Sequence, residues 1–214
     1  MTSSTDLAAL LCSRLCHDLL SPVGALNNGL ELLADESDPE MRRRCFELLE
    51  QSAKTSTDKL KFFRLAYGAA GGFGEEVPSE EPHGLIAGLA SNNERLTLDW
   101  GVTVPTLPKP AVKVLLNLAA IAIEALVRGG TLAVGAERLN GTTEIVVRAS
   151  GMRVAFDANI GKALDGSLTD SELSGRTAPA HLIRLLTNEI GGELQYAVTG
   201  DALLMGAVLP DSAD

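Results

Sequence analysis

Leu11, Leu15, Leu19, Pro22, Leu26 and Leu33 recur at steps of three, four and seven residues, which writes one apolar stripe along a single helix. Thr5 or Asp6 is placed to cap its start. The pattern stops in Ala34-Asp35-Glu36-Ser37-Asp38-Pro39, where Ser37 or Asp38 suits an N-cap and Pro39 suits the first helical position. A second stripe follows through Met41, Cys45, Leu48, Leu49, Ser52, Ser56, Leu60, Phe63 and Tyr67. The short link makes the two helices antiparallel neighbours. Two helices of about 30 residues cannot enclose a core, and one apolar flank stays wet. Joining two hairpins as a four-helix bundle buries that flank, so the pattern predicts a homodimer. The alternative is that the rest of the chain covers it.

The run Gly68-Ala69-Ala70-Gly71-Gly72-Phe73-Gly74 reads as a linker, and the texture changes after it. The division is therefore a helical-hairpin domain over 1–70 and a second domain over 75–214. In the second, Leu85 to Leu89 begins a short helix and Leu96 to Trp100 alternates as a strand. Residues 105–110 hold three prolines and read as a loop. Ala111 to Val127 is an apolar helix ended by Gly129-Gly130. Thr131–Ala136 and Thr143–Ala149 form a hairpin around Asn140-Gly141. Residues 157–174 read as irregular or weakly helical. Ala178 to Ile190 is a helix closed by Gly191-Gly192, and Glu193–Val198 with Leu203–Leu209 make a second hairpin. Helices mixed with mostly antiparallel strands define an α+β chain whose second half is an α/β sandwich.

Composition narrows the function. Hydrophobic residues at 45% exclude a disordered chain, and aromatics at only 4% favour helix-on-helix packing. A net charge of -10 argues against nucleic acid, whose phosphates it repels. No stretch approaches ~18 uninterrupted apolar residues, so no membrane partner is expected. The first residues lack a signal-peptide pattern, and three cysteines form no disulfide framework, so a cytoplasmic setting is expected. Cys12, Cys16 and His17 lack a fourth ligand at suitable spacing, so the cysteines read as helix-interface residues and no metal is assigned.

The sharpest local feature is His17-Asp18-Leu19-Leu20-Ser21-Pro22. On a helical projection His17 lies about 200° from Leu15, nearly opposite the apolar stripe, and faces solvent. Position alone does not separate such a histidine from an idle one. His-Asp-x-x-Ser-Pro, however, resembles the phosphoacceptor box of histidine-kinase dimerisation domains, in which the histidine accepts a phosphoryl group. Neutral imidazole is a nucleophile, and a neighbouring carboxylate orients the ring or takes its proton. The resemblance gives Asp18 that part. On the same resemblance Ser21 is expected to hydrogen-bond a phosphoryl oxygen or approach the partner's site, and Pro22 to bend the helix. His83 and His181 read as ordinary residues.

The second half resembles the kinase ATP-binding domain with its nucleotide determinants lost. Residues 114–125, centred on Asn117, look like the asparagine box, but the second asparagine position is Ile121. Val146 to Gly151 stands where an Asp-x-Gly adenine box belongs, with Ala149 at the aspartate position. The lid segment Gly175-Arg176-Thr177-Ala178-Pro179-Ala180-His181-Leu182 lacks the later glycines. The resemblance thus implies a degenerate histidine-kinase ATPase-like sandwich in which ATP would have no polar anchor.

As a whole the chain resembles the ChpT-type histidine phosphotransferases of alphaproteobacteria, most closely over residues 11–33. The resemblance implies a phosphorelay: the receiver domain of a hybrid histidine kinase passes its aspartyl phosphate to His17, which passes it to response-regulator receivers. The protein then needs no cofactor of its own, because Mg²⁺ sits on the receiver. The receiver's docking face runs from His17 down helix 1 through Leu20, Ser21, Gly24 and Asn28, with Ser13 and Arg14 on the preceding turn. Ser56 is roughly level with His17 on helix 2, and Lys54, Gln51, Glu47 and Arg44 lie toward the connecting turn. The basic run 42–44 is a solvated face or meets an acidic receiver surface. Two other readings are a non-catalytic dimerisation or scaffold module, and a divergent ATP-dependent kinase.

Overall fold

The computed structural model describes residues 3–68 and 75–211. Helix α1 spans Ser4–Asp35 and α2 spans Pro39–Tyr67. The cap of α1 is Ser3, two or three residues before the positions expected. Its hydroxyl accepts the Asp6 N–H at 3.1 Å, and the Asp6 carboxylate accepts the Ser3 N–H at 3.3 Å. At α2 the Asp38 carboxylate accepts the Glu40 N–H at 3.3 Å, with Pro39 first in the helix. Arg42 closes the other side of the turn, donating to the carbonyls of Leu33 at 3.2 Å and Glu36 at 2.8 Å at the end of α1.

Leu7, Pro22 and Gly29 of α1 and Cys45, Ser52 and Ser56 of α2 are buried in the packed hairpin. A Cβ at Gly29 would lie 2.8 Å from a methyl of Leu49, so a larger residue there would require the Leu49 side chain to move. The rest of the expected stripes is only partly covered. Leu11, Leu15, Leu19, Leu26 and Leu33 are half-buried, and Met41, Leu48 and Leu60 are exposed. Leu20, Val23, Leu30, Leu32 and Phe46 are exposed as well. One chain therefore leaves an apolar flank of the hairpin uncovered. Cys12 and Cys16, expected inside a helix interface, are exposed, whereas Cys45 is buried. Most of the expected linker lies outside the described residues; Gly68 ends α2, its N–H donating to the Arg64 carbonyl at 3.0 Å.

The second half runs β1 (Glu76–Pro78), α3 (Glu80–Ala90), β2 (Leu96–Val102), β3 (Thr106–Pro108), α4 (Lys109–Ala125), β4 (Gly130–Leu139) and β5 (Thr142–Ser150). It continues through α5 (Ala158–Asp165), a 3-10 turn (Asp170–Glu172), α6 (Ala178–Glu189), β6 (Glu193–Thr199) and β7 (Ala202–Pro210). The main sheet has the order β2-β4-β5-β7-β6; β2 lies parallel to β4 and the other pairs are antiparallel. Asn140 and Gly141 turn β4 into β5 with φ of 54° and 79°, as their identities require. The segment expected as a loop contains β3, which pairs antiparallel with β1 around Val77 and Leu107, both fully buried. The irregular stretch contains α5, capped by Asp157 and stopped by Gly166 at φ 83°. It is eight residues long, too short for its buried Ile160, Ala163 and Leu164 to register as a period.

Helix α4 is the centre of the core. Its Leu115, Leu116, Leu118 and Ala122 are fully buried, in one cluster with Leu132, Val147, Leu203 and Met205 of the sheet. The foot of α2 joins the same cluster through Phe62, Phe63, Leu65 and Ala66. The hairpin is thereby seated on α3 and α4, and this seating brings the His17 turn of α1 beside the end of α4. Among the described residues no helix is long and apolar enough to cross a membrane.

Candidate active site

Pro22 lies inside α1 and carries no N–H, so the Asp18 carbonyl four residues earlier loses its intrahelical donor. Lys59 of α2 supplies the replacement: its ammonium donates to the Asp18 carbonyl at 2.8 Å. The proline that loosens α1 is thus the reason α2 is pinned to it at this turn. His17 projects from the same turn with its side chain 84% exposed, as its place opposite the stripe predicts.

Asp18 ties the imidazole into a chain of charges. Its Oδ1 is 3.2 Å from His17 Nδ1, and its Oδ2 accepts from Arg14 Nε at 2.8 Å. Arg14 also pairs with Glu124 near the end of α4, which links the hairpin to the sheet half. Burial opposes the charge on Arg14, but Glu124 and Asp18 outweigh it and hold its pKa above its already high ordinary value. An ionised carboxylate only accepts, so the His17 tautomer that hydrogen-bonds Asp18 is the one with its proton on Nδ1 and its lone pair on Nε2.

Two cavities adjoin this turn. The outer one, of about 400 Å³, is lined by Ser13, Arg14, His17, Asp18, Glu124, Gly175 and Arg176. The inner one, of about 360 Å³, lies between the foot of the hairpin and α4, and Asn117 and Ile121 stand in its wall. Asn117 is fully buried, and its Nδ2 turns back to the Lys113 carbonyl at 2.8 Å. Phe62, Phe63 and Tyr67 close the α2 side, with Phe63 stacked on Tyr67 at 5.5 Å. Burial pushes the Tyr67 hydroxyl pKa up, so it stays protonated. Both carboxylates on this wall, Asp18 and Glu124, are taken by Arg14. Ala149 is fully buried in β5 between Leu132 and Leu203. Among the described residues no three His, Cys, Asp or Glu side chains are grouped to hold a metal.

The structure divides the residues expected on the docking face. Ser13, Leu20, Ser21 and Asn28 are exposed. Gly24 borders open space, with nothing within 4 Å of where its Cβ would stand. On α2, Gln51 is exposed, while Arg44 pairs with Glu40 at 2.7 Å, Glu47 with Arg43 at 2.5 Å and Lys54 with Asp58 at 3.0 Å. Arg14, also expected on that face, is 19% exposed and pairs with Asp18 and Glu124. Lys59 is the α2 side chain that reaches the His17 turn, while Ser56, expected roughly level with His17, is buried with its hydroxyl on the Ser52 carbonyl at 2.8 Å. The sequence reading missed Lys59, Glu124 and Arg176. A signal for Lys59 was present in Pro22, which frees a carbonyl; a signal for Glu124 is that it is the sole acid in an apolar α4. His83 stacks on Trp100 at 4.7 Å, an ordinary packing role, and His181 is half-buried on α6.

Comparison with known proteins assigns the class. A family model described as the histidine phosphotransferase C-terminal domain matches residues 79–202. Over 205 residues, covering 96% of both chains, the sequence is 33% identical to the protein phosphotransferase ChpT of Brucella abortus (strain 2308). A solved bacterial phosphotransferase superposes with a TM-score of 0.84 at 30% identity, over 97% of this chain and 98% of that one. The chain belongs to the histidine phosphotransferase family, in its ChpT type, and is a phosphotransfer enzyme.

Proposed function

We propose that His17 is the phosphoacceptor of a phosphorelay. It takes the phosphoryl group from the receiver aspartate of a hybrid histidine kinase and delivers it to the receiver aspartate of a response regulator. The observation that carries this reading is the exposed His17 ring held at Nδ1 by Asp18, which leaves Nε2 as the nucleophile. Phosphoryl transfer asks chiefly for positioning and charge stabilisation, and a ring fixed on a pinned helical turn provides the first. Ser21, one turn on, faces the same approach path. Mg²⁺ belongs to the receiver in this reading, and the reaction is cytoplasmic. The test is incubation with a receiver domain carrying aspartyl phosphate: wild-type protein acquires acid-labile phosphate, and a purely scaffolding module acquires none.

The second half acts in this reading as a scaffold without ATP. Support comes from Ile121, from the buried Ala149 and from the two carboxylates already spent on Arg14. Calorimetry with Mg-ATP is expected to give a dissociation constant weaker than about 1 mM. A micromolar constant would restore the kinase reading.

The working unit is a homodimer joined through the hairpins as a four-helix bundle, with a His17 on each outer flank. Support comes from the exposed Val23, Leu30, Met41 and Leu48, which a partner hairpin would cover. Light scattering is expected to return about twice the chain mass of 22.4 kDa. A monomer at micromolar concentration would contradict it.

A further inference from the structure

The segment before α6 lies against the phosphoacceptor helix. A Cβ at Gly175 would stand 3.6 Å from the Leu10 carbonyl and 3.9 Å from Arg14 Cβ, so this backbone runs along α1 one turn before His17. The next residue, Arg176, reaches the outer cavity and lines it together with His17. The charges in that cavity are unevenly committed. Arg14 is held by both Asp18 and Glu124, and those two carboxylates leave the trio net negative. Arg176 is 61% exposed, and its ion pair is a long one, Nε to Asp157 Oδ2 at 3.4 Å. Of the two cations lining this cavity it is the one whose charge is not outweighed by two carboxylates. A dianionic phosphoryl group arriving at His17, on a chain of net charge -10, finds in this exposed guanidinium a positive charge able to turn toward it.

We infer that Arg176 is a catalytic residue of the phosphotransfer, binding the phosphoryl oxygens during transfer and in phospho-His17. The inference rests on the reading of His17 as acceptor. In the step, the Nε2 lone pair forms the N–P bond while the acyl P–O bond of the aspartyl phosphate breaks, and its electron pair leaves on the receiver carboxylate. The Nδ1 proton stays on the ring against Asp18, so the product carries a ring cation and a phosphoryl dianion. Delivery to the next receiver changes the same bonds in reverse. The guanidinium offers two parallel N–H donors to the three equatorial oxygens, where negative charge is spread in the transition state. The segment that resembles a nucleotide lid has, on this account, kept one arginine for the histidine's phosphate after losing its glycines.

The experiment measures transfer from a phosphorylated receiver domain at varied receiver concentration, for wild type, Arg176→Gln, Arg176→Lys and Asp157→Asn. Arg176→Gln is expected to lower the saturating rate at least about tenfold, with the half-saturating receiver concentration within about twofold. Arg176→Lys should recover part of the rate. Asp157→Asn, which removes the negative charge of the pair while an amide oxygen still caps α5, should match or exceed wild type. The isolated phospho-form of Arg176→Gln should also lose its phosphate at a different rate from wild type with no receiver present, a readout that a docking role does not move. The inference is overturned if Arg176→Gln transfers within about twofold of wild type. It is equally overturned if the loss lies in the half-saturating concentration alone, or if Asp157→Asn reproduces the loss and shows Arg176 to be a structural partner. Failure of the His17 reading looks different, because wild type itself then carries no label on His17.

Discussion

His17→Ala should take no acid-labile phosphate from a phosphorylated receiver, a loss of at least about 1000-fold, while its thermal midpoint stays within about 2 °C of wild type. The two halves of that expectation have separate causes. The side chain is 84% exposed and buries almost nothing, so its removal opens no cavity. Its one polar contact, to Asp18 Oδ1, is the weaker of that carboxylate's two, because Arg14 still holds Oδ2 at 2.8 Å. The chemistry has no substitute: among the described residues His83 is stacked on Trp100 and His181 sits on α6. A scintillation assay with labelled receiver, paired with a thermal melt, reads both halves at once. Label retained by the variant would remove His17 from the mechanism.

Leu20→Asp and Gly24→Arg should each slow transfer at least about tenfold while leaving the dimer and the fold intact. Leu20 is 70% exposed, three residues from His17, and has no packing role within its own chain to explain it. Gly24 borders open space on the same face, so an arginine there meets nothing in this chain but stands where an incoming helix must pass. A buried charge in one case and bulk in the other would obstruct a receiver without touching the imidazole. The readout is the receiver concentration at half-maximal rate, together with light scattering of each variant. Rates within about twofold of wild type for both would move the docking face elsewhere.

The residues that could be read from sequence are those whose signal is local. The helical stripes, the Asp38-Pro39 start of α2, the Asn140-Gly141 turn and the outward position of His17 each depend on neighbours a few positions away. What escaped is non-local. Lys59 meets Asp18 across 41 positions and Arg14 meets Glu124 across 110, and no spacing rule connects residues that far apart. For the same reason Arg14 reads from sequence as a surface residue, although α4 lies beside it in the fold. The strands around Val77 and Leu107 were hidden by prolines that normally argue against a strand; three-residue pairs at an edge tolerate them. The parallel pairing of β2 with β4 depends on which edge a strand chooses, a tertiary matter that alternation along one strand does not encode.

The most direct test of the account is to locate the phosphate. The protein is incubated with a receiver domain carrying aspartyl phosphate and no ATP, kept near neutral pH so that a phosphoramidate survives, digested and mapped by mass spectrometry. The account predicts one phosphate per chain, on the peptide containing His17 and on that residue. Phosphate on any other residue with His17 unmodified, or no phosphate on a folded protein that binds the receiver, would contradict it.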